Sequence, residues 1–127
     1  MKEFQELLDV VEKLHGPDGC EWDKRQTLES FYPFILEEAE EVVEAIGKED
    51  PEAMKEELGD LLWNILFACK LAQKQDLFSI EDVLIASRDK MIRRHPHVFS
   101  DEKTKDIDKI KERWQEIKKE EKWKRKN

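Results

Sequence analysis

Glu37, Glu38 and Glu41 form an EExxE pattern, and Glu57 and Asp60 form ExxD with fifteen residues between the two groups. Positions three or four apart share one face of a helix. Carboxylates gathered in this way repel unless they are protonated, paired or bound to a cation. Glu38, Glu41, Glu57 and Asp60 offer oxygen ligands only, a set suited to a hard divalent cation such as Mg²⁺, with Mn²⁺ as a substitute. No Cys or His joins them, which argues against Zn²⁺. On the helix carrying the first group, Ile35, Ala39, Val42, Val43 and Ile46 are expected on one side, Glu37 and Glu41 roughly opposite, and Glu38 near the margin. Taken alone, EEAEEVVE is equally well a solvated acidic face. The second group shifts the balance. From Leu58 to Cys69 the sequence LGDLLWNILFAC is apolar almost all round, which predicts a helix buried on most sides. Asp60 and Asn64 interrupt it on one stripe, with Glu57 a turn earlier. An isolated charge is too costly to bury, so a carboxylate there needs a counter-charge. A structural salt-bridge cluster is the competing reading.

The elements that must hold these acids are helical. Charged residues make up 43% of the 127-residue chain, with four Gly and four Pro, so long helices with few turns are expected in one domain. Phe4 to Leu14 has helical apolar spacing and ends at Gly16-Pro17-Asp18-Gly19. Cys20 to Thr27 reads as an irregular segment. A second helix begins near Leu28 to Pro33 and ends near Gly47. Asp50-Pro51 reads as an N-cap and first residue of a third helix reaching about Gln75. Ser79, Glu81 and Asp82 open a fourth that stops at His95-Pro96. Asp106 caps a last helix whose basic end, about residues 119–127, is expected to fray. The class is all-α, a bundle of about four to five helices with the acids on a hairpin. Exposed apolar faces on one thin bundle suggest a homo-oligomer.

Charge is unevenly distributed. Eleven acids and two lysines fall between Glu37 and Asp60, whereas Lys111 to Lys126 holds eight bases and four acids. An acidic block with a basic tail suits a metal site and a phosphate contact better than a nucleic-acid groove. Lys90, Arg93 and Arg94 gather before His95-Pro96; favourable charge at a helix C-terminus explains them as simply as ligand binding does. Trp22 either plugs the core or stacks on a base, with Lys24 and Gln26 as polar contacts. His95-Pro96-His97 reads as a structural turn. Glu12 and His15 form a single ExxH, half of a di-iron constellation that needs a second copy. Cys20 and Cys69 read as idle thiols. Leu61 to Leu71 is too short to span a bilayer, and no signal peptide is evident, so a soluble, cytoplasmic protein is expected.

Four segments in order, GCEWDKRQT (Gly19 to Thr27), LEEAEEVVEAI (Leu36 to Ile46), EELGDLLWNILF (Glu56 to Phe67) and KMIRRHPHVF (Lys90 to Phe99), resemble the signature segments of the MazG family of nucleotide pyrophosphohydrolases. The resemblance covers nearly the whole chain, residues 1–127, as a single copy of a domain that longer members carry in tandem. It implies Mg²⁺-dependent hydrolysis of nucleoside triphosphates, ribose or deoxyribose, to monophosphate and pyrophosphate by a homodimer with helices packed across subunits. It implies metal ligation by Glu38, Glu41, Glu57 and Asp60, with Glu37 leading the EExxE group. A carboxylate at the metal, Glu37, Glu38 or Glu41, is then the candidate proton acceptor. Lys90 and Arg94, four apart, are implied triphosphate contacts with Arg93 facing elsewhere. Trp114 and Lys118 have counterparts near the nucleotide, and Trp22, Lys24 and Gln26 lie on the implied substrate-side loop. The main alternative is a non-enzymatic helical interaction module with a structural acidic cluster. A carboxylate-bridged redox bundle is a third reading, weakened by the missing second ExxH.

Overall fold

A computed structural model describes all 127 residues, and every regular element is a helix. There are seven: α1 (Lys2–Leu14), α2 (Glu21–Arg25), α3 (Leu28–Gly47), α4 (Pro51–Lys74), α5 (Ile80–Arg93), α6 (Pro96–Phe99) and α7 (Ile107–Lys126). The four to five helices expected from periodicity are the long ones. The two extra, α2 and α6, have five and four residues, too short to leave a periodic signal. Cys20–Thr27 is therefore not wholly irregular. The basic end expected to fray is helical to Lys126. The chain divides into two compact units, Met1–Ile80 and Glu81–Asn127.

The first unit is built on the α3–α4 hairpin. Thr27 and Ser30 close a reciprocal capping box at the start of α3, with the Ser30 amide donating to Thr27 Oγ1 at 3.1 Å and the Thr27 amide to Ser30 Oγ at 3.0 Å. Pro33 accordingly lies inside α3, a turn later than its expected place at the helix start. Asp50 Oδ1 accepts from the Glu52 and Ala53 amides and Pro51 takes the first helical position, as its fixed φ favours. Between the helices, Glu49 adopts a left-handed φ of 54°, a conformation that costs an L-residue about 1–2 kcal/mol.

Phe31, Phe67 and Leu71 form the core, with the Phe31 and Phe67 rings stacked at 4.2 Å. Along α3 the packed stripe is Phe31, Ile35, Val42 and Ala45. Val43 and Ile46, expected with them, are 71% and 54% exposed. The helix carries apolar residues on more sides than its single partner can cover. The same holds on α4. Leu66, Phe67, Cys69, Leu71 and Ala72 are buried, but Leu58, Leu62 and Ile65 are exposed, so α4 is not buried on most sides within one chain. Buried Asn64 ties the two helices together by donating to the Phe34 carbonyl at 3.1 Å. No helix is long and apolar enough to cross a membrane.

Gly19 makes the α1–α2 turn possible. Its amide lies in a chain that doubles back, with the Cys20 amide on the Leu14 carbonyl at 2.8 Å, and a Cβ at Gly19 would run into that carbonyl. In the second unit, α7 is capped by Asp106, whose Oδ1 accepts from the Asp108 and Lys109 amides. Ile117 is buried, and Trp114 is half-buried with its ring edge-on to His95 at 5.3 Å.

Candidate functional site

Glu38 falls on the packed stripe of α3, between Ile35 and Val42 in the sequence of inward positions, and Glu57 falls on the corresponding stripe of α4 that continues through Leu61, Asn64, Phe67 and Leu71. Hairpin geometry therefore drives acids against one another. Glu38, Glu41 and Glu57 are all half-buried and bring ligand oxygens within 4.8 Å of one another. Glu38 Oε2 and Glu57 Oε2 are sealed from solvent with no hydrogen-bond partner. A buried acceptor without a donor is costly, and two facing each other are worse.

Electrostatics records the same conflict. Burial pushes the Glu38 carboxyl above the usual carboxylate range, and the charges of Glu41 and Asp60 add to it, while the nearby Glu57 carboxyl works the other way. Glu41 is raised by the Glu57 side chain, through both close contact and charge. For Glu57 the close Glu41 carboxyl lowers the pKa, but burial and the neighbouring Glu38 and Asp60 outweigh it, leaving the group raised. Burial and mutual repulsion together raise all three acids, and such a group could hold a metal ion. The sealed Oε2 atoms fit a hard divalent ion, which supplies the positive charge that no nearby Lys or Arg provides.

Asp60 does not sit as expected. The inward stripe of α4 passes through Leu61, so Asp60 is turned outward and exposed. Its oxygens group instead with those of Glu56 and Glu57, again within 4.8 Å. The demand for a counter-charge, read from sequence on Glu57 and Asp60, holds for Glu57, extends to Glu38 and does not hold for exposed Asp60. Glu56, overlooked in the sequence, joins the rim through this second group. Glu37 is exposed on α3, outside both groups.

Elsewhere in the first unit, Trp22 does not plug the core. It is 52% exposed, with its ring edge-on to Phe34 at 5.8 Å. Lys24 pairs with Glu21 at 2.9 Å, and Gln26 accepts from Ser30 Oγ at 2.7 Å while donating to the Trp22 carbonyl. These bonds hold the α2 segment in one conformation. Glu12 of the ExxH pair is engaged by Lys70 at 2.8 Å, and His15 packs edge-on against Phe67, so the half-motif is structural. Cys20 and Cys69 are free thiols, Cys69 buried.

The second unit collects the basic residues. Arg94 Nη2 and Nε both donate to Glu121 Oε1, at 2.7 and 3.2 Å, and the Arg94 guanidinium lies 5.2 Å from the centre of the Trp114 ring. Arg93, expected to face elsewhere, donates from Nε to Glu121 Oε2 at 2.6 Å. Lys90 shares a cleft of about 410 Å³ with this cluster. Lys118 is half-buried beside it in sequence, one turn beyond Trp114. Glu121 is the residue that sequence reading missed, because one acid in a lysine-rich helix has no spacing signature. The His95 and His97 rings lie tilted to each other at 5.5 Å, and the His95 ring Nδ1 meets the Met91 carbonyl at 2.6 Å.

Known proteins match the same segments. A Thermotoga maritima protein named nucleoside triphosphate pyrophosphohydrolase/pyrophosphatase MazG is 44% identical over 124 residues, covering 98% of this chain and 47% of its own length. An Escherichia coli K12 protein named nucleoside triphosphate pyrophosphohydrolase is 41% identical over 122 residues, covering 95% of this chain and 46% of its own. The chain thus spans about half the length of these curated relatives. The crystal structure of a mazG-related protein from Thermotoga maritima superposes with a TM-score of 0.78 at 29% identity, covering 91% of this chain and 98% of that one. Residues 26–99, from Gln26 through both acidic groups to Phe99, match the MazG nucleotide pyrophosphohydrolase domain. With its acidic hairpin inside that match, this chain belongs to the MazG family.

Proposed function

We propose that this chain hydrolyses nucleoside triphosphates, ribo or deoxyribo, to the monophosphate and pyrophosphate, with Mg²⁺ held by Glu38, Glu41, Glu57 and Asp60. The observation that carries this reading is the pair of sealed, partnerless oxygens on Glu38 and Glu57, within the family match. Family membership supports the substrate class, since relatives 44% and 41% identical to this chain are named for that reaction.

The reaction places water on the α-phosphorus and expels pyrophosphate, breaking the α–β anhydride. When bound, Mg²⁺ supplies charge neutralisation for the phosphates and acidifies water. The chain's own residues do the rest. Glu38 and Glu57 are fixed in place by the packed hairpin, so their oxygens need little reorganisation. Exposed Glu37, or a ligand carboxylate such as Glu38 or Glu41, is assigned to take the proton. Lys90 and Arg94, with Trp114 and Lys118, are assigned to the triphosphate and nucleotide. Trp22, with Lys24 and Gln26 behind it, offers an exposed aromatic face for a base.

The exposed Val43, Ile46, Leu58, Leu62 and Ile65 support a homodimer or larger homo-oligomer as the working form, in which a second copy covers faces that one chain leaves bare. A cytoplasmic location is consistent with this chemistry.

Pyrophosphate release from a panel of ribo- and deoxyribonucleoside triphosphates, with and without Mg²⁺, tests the proposal. Metal-dependent release of pyrophosphate and monophosphate is expected. No turnover with any nucleotide, together with unchanged thermal stability on adding Mg²⁺, would sink it.

A further inference from the structure

Glu121 occupies an unusual position among cations. One cleft is lined by Lys90, Arg93, Arg94, Lys124 and Arg125. Against these five bases stand only Glu120 and Glu121, so the cleft remains cationic when every acid in it is ionised. Glu121 is 14% exposed and Arg94 15%, whereas Arg93 is 49% exposed. Both oxygens of the one carboxylate are used, Oε1 by two N–H groups of Arg94 and Oε2 by Nε of Arg93.

A guanidinium has five N–H donors. Glu121 takes two from Arg94 and leaves three uncommitted to it; from Arg93 it takes only Nε. Arg94 is held a second time by its place over the Trp114 ring. Fixing an arginine side chain costs rotamer freedom. The Glu121 and Trp114 contacts restrict Arg94 before any ligand arrives.

We propose that Glu121 is a positioning residue, whose carboxylate fixes Arg93 and Arg94 as a paired guanidinium receptor for the phosphate chain of a nucleotide. The assignment rests on the reading of Arg94 as a phosphate contact and adds Arg93 and Glu121 to it. Glu121 remains ionised throughout the physiological range, since the hydrogen bonds from Arg94 and Arg93 hold its pKa at about 2. The clamp is therefore permanent, and not a switch.

Charge alone predicts the opposite of positioning. Removing an acid from a basic cleft should tighten anion binding, whereas removing the clamp should weaken it. The affinity of inorganic tripolyphosphate, measured by calorimetry in metal-free buffer, separates the two. Glu121→Gln is expected to weaken binding about tenfold, the scale of one lost preorganised contact. In an Arg93→Lys, Arg94→Lys background, which keeps both charges but loses both forks, the same substitution should cause no further weakening. With nucleoside triphosphate and Mg²⁺, Glu121→Gln should raise KM while kcat changes less than about twofold. Thermal midpoints of each variant show whether folding is intact. Equal or tighter tripolyphosphate binding by Glu121→Gln overturns the proposal, as does an absence of binding by the unsubstituted protein. Loss that is additive in that double background also overturns it, because Glu121 then acts on the fold and not through Arg93 and Arg94. If tripolyphosphate behaves as expected but no nucleotide is hydrolysed, the positioning role stands and the proposed activity falls.

Discussion

The two units each concentrate charge, yet they resolve it in opposite ways. On α3 and α4, Glu38, Glu41 and Glu57 face one another with no cation among them, and two oxygens are sealed without a donor. On α5 and α7, Arg93 and Arg94 meet Glu121 and every oxygen of that carboxylate is engaged. The first cluster is incomplete without something positive from outside. The second is complete internally but retains an excess of positive charge. A cluster whose own protein leaves it unbalanced points to a ligand of the opposite sign.

The largest expected effect comes from removing the imbalance at its source. Glu57→Gln takes away one of three mutually repelling charges. It should lower kcat/KM for nucleoside triphosphates by at least about 100-fold while raising the thermal midpoint of the metal-free protein. Turnover assays and thermal scans on the same samples read both. A variant that loses activity and stability together would make Glu57 a structural acid. Asp60→Ala should likewise abolish turnover, measured as pyrophosphate release, but its exposed position predicts a far smaller change in metal-free stability. Near-normal rates would remove Asp60 from the ligand set.

Next in size is the pH dependence. The folded pKa values of Glu38, Glu41 and Glu57 are raised above the unfolded value near 4.5. The unfolded chain therefore loses these protons first as pH rises, so stability of the metal-free protein falls on going from acid towards neutral pH. Glu121 has the opposite sign: its pKa is depressed to about 2, so its contribution is present above 4.5 and fades as pH falls towards 2. Thermal scans should show Mg²⁺ raising the midpoint more at pH 7 than at pH 5. Equal shifts at both values would mean the acids are not what the ion binds.

Two smaller changes separate charge from scaffold. Asn64→Ala removes the tie to the Phe34 carbonyl and should cost about 1–2 kcal/mol in chemical denaturation, with reduced Mg²⁺ affinity because the hairpin loosens. Glu49→Gly relieves the left-handed residue between the helices and should stabilise by up to about 1 kcal/mol. It should leave Mg²⁺ affinity unchanged.

Much of this was legible in the sequence, because capping and proline rules act locally. Asp50-Pro51 and Asp106 mark helix starts where the structure has them. The acidic groups were visible through their spacing. What spacing could not supply was rotation. Asp60 and Leu61 are adjacent, and which one faces α3 depends on how two helices pack, so the burial argument made for Glu57 and Asp60 together holds for Glu57 alone. The apolar run of α4 likewise promised burial that one chain does not provide at Leu58, Leu62 and Ile65. The Glu121 clamp was invisible for a different reason. It joins residues 27 and 28 positions apart, and no pattern within one helix encodes it.

The most direct test of the central claim is a calorimetric titration of Mg²⁺ into the metal-free protein at pH 7, repeated with Glu57→Gln. The account predicts saturable binding with proton release by the unsubstituted chain, and at least about tenfold weaker binding by the variant. Equal affinity in the two proteins, or no saturable binding in either, would contradict it.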